Sequence, residues 1–336
     1  MAAISGKDLI LAGDIGGTKT SLGLFSMGKN RPALRHKKVY RSADYKKLEH
    51  IIDEYLSGIR LKPFRACFGV AGPVKNGNCK ITNLPWSISE KRIEKYFKLK
   101  KAILINDLEA MAWSIPFLKG SETVRLNSVK SPGKGNISLI APGTGLGEAL
   151  LIYNRNEYLP VPSEGGHADF APNNDLESGL LGYLSKKYGH VSIERILSGQ
   201  GLYNIYEYLT VSGAYEAPEW ISKKIEENDP ARIINEEARL SGQELCLKAV
   251  DVFISILGAA AGNLALTGMT TGGVYLGGGM PPKLLWRLEK GLFMKSFNEK
   301  GRFRSVMERI PVKVIMHDNA AMLGAAVAGF NITEGR

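Results

Sequence analysis

The stretch GDIGGTKT at residues 13–20 is the part of the sequence that best indicates the fold. Apolar residues precede it (DLILA, 8–12) and follow it (SLGLF, 21–25), so a strand is expected on each side of the glycines. In the familiar phosphate loops a helix follows the glycines and turns its N-terminus toward the anion. Here a second strand follows instead, which predicts a hairpin whose turn contains glycine and threonine. The backbone N–H groups of such a turn can surround phosphate oxygens.

A second stretch, APGTGLGEA at residues 141–149, has the same organisation, with NISLI (136–140) before it and LLIY (150–153) after it. Neither stretch matches the GxxxxGK[ST] or GxGxxG patterns of other nucleotide sites. One glycine hairpin alone would usually be only a tight turn, but two with matched flanks indicate an internal duplication. A duplicated α/β chain predicts two lobes with a cleft between them for small molecules.

The bulk composition is that of a globular protein of about two domains, with 336 residues of which 44% are hydrophobic. The net charge is +11, but the basic residues are spread along the chain. The densest basic stretch, EKRIEKYFKLKK at 90–101, has the apolar spacing of an amphipathic helix with a solvated face. We therefore expect no nucleic-acid partner, although a positive field suits anionic ligands.

The three cysteines, Cys67, Cys79 and Cys246, are odd in number and have no CxxC spacing. They predict a reducing compartment and argue against a disulfide framework or a cysteine-based metal site. The N-terminus lacks the long apolar core of a signal peptide. The most apolar later stretch, 252–268, is shorter than a typical membrane span and contains Asn263, so we predict a core helix, a cytoplasmic protein and no membrane partner.

Apolar periodicity gives a coarse map of the remaining elements. It predicts a third strand over 36–42, a helix over 45–59, a buried strand running into a Gly-Pro loop over 65–74, and a strand from 101 that turns into a helix at Asp107. Later it predicts a short strand ending in three glycines over 274–280, and a strand followed by a helix over 312–330.

The hairpins, together with LGGGM (276–280) and HDNAAMLGAA (317–326), resemble the sugar kinase/heat-shock/actin superfamily. Within it, four stretches are similar to the bacterial hexose-kinase family typified by glucokinase: TNLPW (82–86), INDLEA (105–110), SEGGHADFAP (163–172) and IERILSGQGL (193–202). Nearly the whole chain is covered in the same order. The resemblance implies an α/β, duplicated actin-like (ribonuclease H-like) two-lobe ATPase fold with a central cleft. The expected lobes are a small one of residues 1–117 plus 318–336 and a large one of residues 118–317.

The resemblance implies ATP-dependent phosphorylation of glucose at its 6-hydroxyl, the first step of glycolysis. Alternatives are a kinase for another hexose, such as mannose or glucosamine, and a non-enzymatic actin-like nucleotide-binding protein. The hairpin turns and the LGGGM loop are expected to bind ATP through Gly13, Asp14, Ile15, Gly16, Gly17 and Thr18, through Gly143, Thr144 and Gly145, and through Gly278 and Gly279. Asp14 would repel a phosphate in direct contact, so it is better placed to hold Mg²⁺ through water.

Asp107 is the candidate base, because it lies where an apolar strand gives way to a helix, and ligands bind beyond the carboxyl ends of strands in open α/β sheets. From the residues alone, Asp107 could equally be the N-cap of that helix. The family's catalytic Asp matches this position. The family pattern assigns both Asn106 and Asp107 to sugar contacts; for Asn106 a turn-forming role is the simpler alternative.

Glu164 and His167, in SEGGHADF (163–170), allow three interpretations: a metal site, a catalytic pair or a pair of sugar contacts. The five histidines show no HExxH spacing and no cysteine lies near, so no structural zinc is expected. The resemblance implies sugar contacts, with carboxylate and imidazole as acceptor and donor for neighbouring hydroxyls. It adds Glu194 as a further sugar ligand.

Asn83 is a second-tier sugar contact, while Trp86 beside it is more often a core residue. Ser163 stands where the family often has Gly, and residues 210–235 match the family poorly. A homodimer is expected. The hexose preference and the phosphoryl donor are left open by these residues.

Overall fold

The computed structural model of the protein describes residues 9–59, 61–81, 84–129 and 133–331. The chain divides into two compact units. Unit 1 comprises Met1–Lys119 and His317–Arg336, and unit 2 comprises Gly120–Met316. The C-terminal helix, Ala320–Asn331, therefore belongs to the same unit as the N-terminal strands.

The elements of unit 1 before the C-terminal helix are β1 (Leu9–Ile15), β2 (Lys19–Ser26), β3 (Ala33–Arg41), α1 (Leu48–Ser57), β4 (Arg65–Val70), β5 (Val74–Lys75), β6 (Asn78–Lys80), β7 (Ser87–Ser89), α2 (Glu90–Phe97), β8 (Lys101–Asn106) and α3 (Asp107–Ser114). The main sheet has the order β3-β2-β1-β4-β8. Its first three strands are antiparallel, whereas β4 and β8 continue parallel to β1. The strands β5, β6 and β7 form a small separate sheet.

Both faces of the unit 1 sheet are covered by helices, which explains why β1 is apolar at successive positions. Side chains alternate between the faces of a strand. Leu9 and Leu11 pack with the residues of α1 and α2, whereas Ile10 and Ala12 pack with those of α3 and the C-terminal helix. The central strands are thus held from two sides, and this fixes the ends of β1 and β8, where Asp14 and Asn106 lie.

The elements of unit 2 are β9 (Thr123–Arg125), β10 (Ile137–Pro142), β11 (Leu146–Asn154), β12 (Glu157–Ser163), α4 (Asp175–Tyr188), α5 (Gly199–Val211), α6 (Glu219–Glu227), α7 (Pro230–Leu240), α8 (Glu244–Gly268), β13 (Gly273–Leu276), α9 (Pro281–Leu288), α10 (Leu292–Asn298), α11 (Arg304–Met307) and β14 (Val312–Ile315). The sheet order is β12-β11-β10-β13-β14-β9. Three antiparallel strands are again followed by two parallel ones, with β9 added at the edge. The units therefore repeat one topology, as the matched hairpins predict.

Helix α8 corrects one expectation from the sequence. It spans 25 residues, because it begins at Glu244 and not near 252, and it is long and apolar enough to cross a membrane. Most of its apolar window is buried inside the protein, where Phe253, Ile254 and Leu257 join the core of unit 2. Its apolarity is thus accounted for by packing within a protein core.

Two strands end at glycine-containing loops, as the sequence predicts. The strand that begins at Arg65 ends at Val70, and Val74 belongs to the small sheet. Gly72 between them has φ +158, and a Cβ there would lie 2.7 Å from the Lys80 carbonyl oxygen. Likewise β13 ends at Leu276, and Gly278 adopts φ +80 in the turn that follows. Glycine conformations end both strands, because other residues rarely adopt them.

The C-terminal helix packs against α3 at a distance that only glycine permits. A Cβ at Gly324 would lie 1.6 Å from the carbonyl oxygen of Ala110. Since α3 begins with Asp107, this contact also sets the position of that residue.

We predict that Gly324→Ala forces the two helices apart and lowers the free energy of unfolding by about 1–3 kcal/mol, as overpacking does. The matched control is Gly182→Ala on α4, where a new Cβ meets nothing within 4 Å. That change should be neutral or stabilise by up to about 1 kcal/mol through helix propensity. Urea denaturation of the three proteins checks this, and equal stabilities for both variants would contradict it.

Candidate functional site

The β1–β2 turn is closed by its own backbone and supported from below by Ser42. Gly16 N–H donates to the Lys19 carbonyl at 3.0 Å. Ser42 Oγ donates to the Gly16 carbonyl at 2.8 Å, and its N–H donates to the Thr18 carbonyl at 3.0 Å. Ser42 is therefore a supporting residue of this turn that sequence reasoning missed, because it follows the third strand and carries no motif.

Not all the predicted nucleotide residues of the first hairpin lie in the turn. Gly13 and Ile15 are strand residues of β1. The Ile15 side chain is fully buried, and a Cβ at Gly13 would lie 2.7 Å from Phe68. Gly13 is thus explained by packing, and only the backbone of Ile15 can face a ligand. Gly16, Gly17 and Thr18 form the turn itself.

Asp14 and Asp107 approach each other within unit 1. The pKa of Asp14 is raised to about 6 by burial and by the negative charge of Asp107. The positive charge of Lys19 acts in the opposite direction. Gly69 lies against the helix that Asp107 begins, and a Cβ at Gly69 would lie 2.7 Å from Ala110 Cβ in that helix. Two carboxyl groups that disfavour each other's charge form a place where a cation would be stabilised.

The β8–α3 junction separates the roles of Asn106 and Asp107. Asn106 is the N-cap of α3, and its Oδ1 accepts from Leu108 N–H at 2.9 Å and Glu109 N–H at 3.4 Å. The alternative that Asp107 is the N-cap is therefore wrong; Asp107 is the first helical residue, and its Oδ1 accepts from Leu108 N–H at 2.9 Å. The side-chain oxygen of Asn106 is engaged, so its amide nitrogen is the atom left for a ligand.

The β10–β11 turn lies beside a cavity of about 870 Å³ in unit 2. Gly143 N–H donates to the Gly145 carbonyl at 2.8 Å, and the Gly143 carbonyl accepts from Gly199 N–H at 2.9 Å. Gly143, Thr144 and Gly279 line the cavity, and α5, α7 and α9 supply the other walls. Two predicted residues, Gly145 and Gly278, are not among its lining residues.

The sequence assigned no role to the α5, α7 and α9 walls of this cavity, although Gln200 lies in the quoted stretch IERILSGQGL. The polar residues of these walls include Gln200, Tyr203, Arg232, Asn235, Arg239 and Lys283. Asn235 connects two of the walls, since it accepts from Trp286 Nε1 at 3.0 Å and donates to the Lys283 carbonyl at 3.4 Å. The available signal was Asp229-Pro230, an N-cap followed by a first-turn proline, which marks the start of α7.

The SEGGHADF stretch forms a single 3₁₀ turn, Gly165–His167, after β12. His167 N–H donates to the Glu164 carbonyl, and Gly165 N–H donates to Ser163 Oγ, both at 2.9 Å. Because the sequence predicts sugar contacts here, we call residues 163–167 the sugar turn from here on. The side chains of Glu164 and His167 are exposed and make no hydrogen bond to any described residue.

Neither glycine of this turn has a positive φ, and Gly166 is required by its close contact with the backbone of β11. A Cβ at Gly166 would lie 2.1 Å from the Leu146 carbonyl oxygen, and one at Gly165 would lie 2.2 Å from Glu148 Oε2. The turn therefore rests directly on β11.

Glu194 joins Glu164 and His167 in the same region of unit 2. Its Oε2 accepts from Leu146 N–H at 2.8 Å, and Ile193 N–H donates to the Ala168 carbonyl at 2.8 Å. Three of the predicted sugar residues thus come together around the start of β11. Asn83 lies outside the described residues, and Trp86 is a core residue whose Nε1 donates to the Tyr45 carbonyl at 3.1 Å.

Glu148 is a buried carboxyl in this region that the sequence did not single out. Its side chain is 8% exposed, and burial alone raises the pKa of Glu148 to about 7. Over residues 9–59, 61–81, 84–129 and 133–331, no group of three or more His, Cys, Asp or Glu side chains could hold a metal ion.

In comparisons with known proteins, the chain matches a glucokinase family model and is similar to several glucokinases. A family model described as Glucokinase matches residues 11–331. The glucokinase of Nostoc sp. is 38% identical over 335 residues, covering 95% of this chain and 98% of that protein. The glucokinase of Caulobacter sp. is 34% identical and covers 98% and 97%.

Solved structures agree with this placement. A glucokinase from an Antarctic psychrotroph has a TM-score of 0.86 and 33% identity, covering 96% of this chain and 99% of that one. A ROK family glucokinase from Streptomyces griseus, in complex with glucose and AMPPNP, has a TM-score of 0.62 over 96% and 99% of the chains. At 20% identity the second likeness shows the fold alone. The predicted duplicated actin-like α/β fold is confirmed.

The buried carboxyls predict a stability that falls with rising pH. Glu148 and Asp14 keep their protons to a higher pH in the folded chain than their ordinary values of 4.5 and 3.8. For Glu148 the folded state therefore binds the extra proton between about pH 4.5 and 7, and this contribution to stability is lost as pH rises through that window.

Glu148→Gln should remove this loss and raise the free energy of unfolding above pH 7 by on the order of 2–3 kcal/mol, with little change near pH 4.5. Denaturant melts between pH 4.5 and 8 measure it, with Glu216→Gln, at an exposed loop position, as the control. A gain of equal size at both ends of the range would show that burial of the charge is not the cause.

Proposed function

The chain belongs to the glucokinase family, so it catalyses ATP-dependent phosphorylation of glucose, and we propose that Asp107 is the base that accepts the proton of the 6-hydroxyl. The observation that carries this proposal is that Asn106 and Asp107 occupy different positions at the β8–α3 junction. Asn106 caps the helix, while Asp107 stands at its first position, where the helix dipole favours a carboxylate.

Phosphoryl transfer requires little covalent chemistry from the protein, because the transition state of the transfer is loose. Asp107 has to orient the hydroxyl toward the phosphorus and accept its proton late in the reaction. The hydrogen bond from Leu108 N–H to Asp107 Oδ1 fixes the direction of the carboxylate at 2.9 Å. The contact of Gly324 with α3 holds the helix that carries it.

We propose that ATP places its phosphates on the glycine turns and its adenosine in the cavity lined by α5, α7 and α9. The closed turns offer backbone N–H groups, and the volume of about 870 Å³ is that of a typical small-molecule site. Gly145 and Gly278 would act by shaping the turn, since a Cβ at Gly278 would lie 2.5 Å from the Pro142 carbonyl oxygen.

We propose a Mg²⁺ ion, bound with ATP, next to Asp14. The fit comes from the electrostatics of unit 1, where the charge of Asp107 and burial both resist ionisation of Asp14. When bound, Mg²⁺ would neutralise charge on the transferred phosphoryl group. Asp14 would hold it through water, as predicted from the sequence.

We propose that Glu164, His167 and Glu194 bind hydroxyls of glucose, together with the Asn106 amide nitrogen and Asn83. The exposed side chains of Glu164 and His167 offer an acceptor and a donor, and both are close to Glu194 through Leu146 and Ala168. Sites built to pair each hydroxyl of a sugar reject analogues that lack one.

We also propose a cytoplasmic homodimer. The three cysteines are buried and free, which suits a reducing compartment. Light scattering of the purified protein tests the dimer.

Asp107→Asn should lower kcat by at least about 100-fold with glucose KM changed only a few-fold, because the loss of a general base acts on the transition state. A coupled ADP-release assay measures this, and an unchanged melting temperature shows intact folding. Glu109→Gln, two residues along the same helix, is the control and should keep kcat within a few-fold. Near-normal turnover of Asp107→Asn would refute the base, and a wild-type protein inactive on every hexose would refute the enzyme.

Glu164→Gln and His167→Ala should each raise the glucose KM by at least about tenfold, because each leaves a sugar hydroxyl unpaired. The KM for ATP should stay within twofold in both variants. His190→Ala, in the neighbouring loop where His190 pairs with Asp169 at 2.7 Å, is the matched control. A larger effect on ATP than on glucose would contradict the assignment.

A further inference from the structure

Glu148 is a carboxyl whose burial the reaction does not explain. It lies in β11 directly after GTGLG, opposite Ile140 of β10 and Ser163 of β12. Its side chain is 8% exposed and forms no hydrogen bond or ion pair with any described residue. Buried ionisable groups are nearly always paired, because an isolated one is unfavourable.

The carboxyl of Glu148 lies against the sugar turn. Its Oε2 occupies the space beside Gly165 where a Cβ would be, at 2.2 Å from that position. The Leu146 carbonyl approaches Gly166 in the same way, at 2.1 Å. Two neighbouring positions of β11 therefore support the two glycines of the turn, so the height of the turn above the strand depends on both.

The same strand also holds Glu194, through the hydrogen bond of 2.8 Å from Leu146 N–H. The distance between Glu194 and the pair Glu164 and His167 is thus set by how closely the sugar turn rests on β11. A change beneath Gly165 would move Glu164 and His167 while Glu194 stays in place.

We propose that Glu148 is a positioning residue for sugar binding, whose side chain supports the sugar turn from beneath and keeps Glu164 and His167 in register with Glu194. This inference rests on the proposed sugar contacts. It differs from them because Glu148 acts through the turn and touches no substrate atom.

The support depends on the charge of Glu148. The charged or titratable groups on the elements around it are Glu164 and His167 on the turn and Glu194 beyond Leu146; β10 has none, and Glu157 and Tyr158 lie at the far end of β12. An ionised Glu148 would be better solvated outside its buried position beneath the turn, so ionisation would weaken this contact. Because burial raises the pKa of Glu148 to about 7, the support is present below that pH and is lost as pH rises through it.

The test compares Glu148→Gln with Glu148→Ala. At pH 6.5, Glu148→Ala should raise the glucose KM by about tenfold, with kcat and ATP KM within about twofold and a melting temperature within a few degrees of wild type. Glu148→Gln keeps the volume and neutrality, so its glucose KM should match wild type at pH 6.5. Between pH 6.5 and 9 the wild-type glucose KM should rise about threefold or more, and that of Glu148→Gln should rise clearly less.

Two results would overturn the proposal. One is an unchanged glucose KM in Glu148→Ala, or a loss of kcat and ATP KM in parallel with a lower melting temperature, which would mean a general structural role. The other is a Glu148→Gln variant whose glucose KM follows the wild-type pH profile. Glu164→Ala in the same assay separates this inference from its premise: if that variant also keeps its glucose KM, the proposed sugar contacts themselves fail.

Discussion

Within each unit, the positions of helices and turns depend on backbone segments that approach too closely for any Cβ atom. Gly324 meets the Ala110 carbonyl, Gly166 meets the Leu146 carbonyl and Gly278 meets the Pro142 carbonyl, at virtual Cβ distances of 1.6, 2.1 and 2.5 Å. Each contact lies beside a residue with a proposed role. Such contacts leave little freedom, since protein interiors are densely packed and deform reluctantly. The glycines of this chain therefore determine where its polar side chains stand.

The second constraint is electrostatic. Asp14 and Glu148 both sit where burial raises their pKa values, to about 6 and about 7. Neither arrangement favours folding near neutral pH, because an ionised carboxyl is better solvated in water. Groups with perturbed pKa values concentrate at functional sites. At such sites an arrangement that lowers the stability of the fold can be retained because activity needs it. For Asp14 the compensation would come from the cation that accompanies ATP, and for Glu148 from a well-placed sugar turn.

Much of the fold could be predicted from the sequence, because its signals are local. Matched glycine hairpins predicted the duplicated topology, and the apolar run before Asp107 predicted the β8–α3 junction. The N-cap alternative considered for Asp107 belongs to Asn106 instead, since spacing alone does not show which of two adjacent polar side chains turns back to the helix N–H groups. The roles given to Asp107, Glu164 and His167 stay predictions. The α7 and α9 walls of the cavity could not be predicted, because these helices contain no quoted motif and meet α5 only through tertiary packing. The start of α5 lies in the quoted stretch IERILSGQGL, but that stretch does not show that it lines a cavity. Glu148 was within a quoted stretch, but its burial depends on the pairing of β11 with β12.

The order of motifs along unit 2 has a physical reason at the start of β11. The turn of Gly143 to Gly145 leads directly into Leu146, whose N–H binds Glu194 and whose carbonyl contacts Gly166. Five residues after Glu194, Gly199 N–H returns to the Gly143 carbonyl at 2.9 Å. A short loop of hydrogen bonds and close contacts thus joins the turn proposed for phosphate to the residues proposed for sugar. Most of these contacts are short and made by the backbone. Few side chains therefore lie between the two ends that could absorb a displacement. Those residues proposed for the phosphate donor and for the sugar that lie in unit 2 would then share this one segment of the chain.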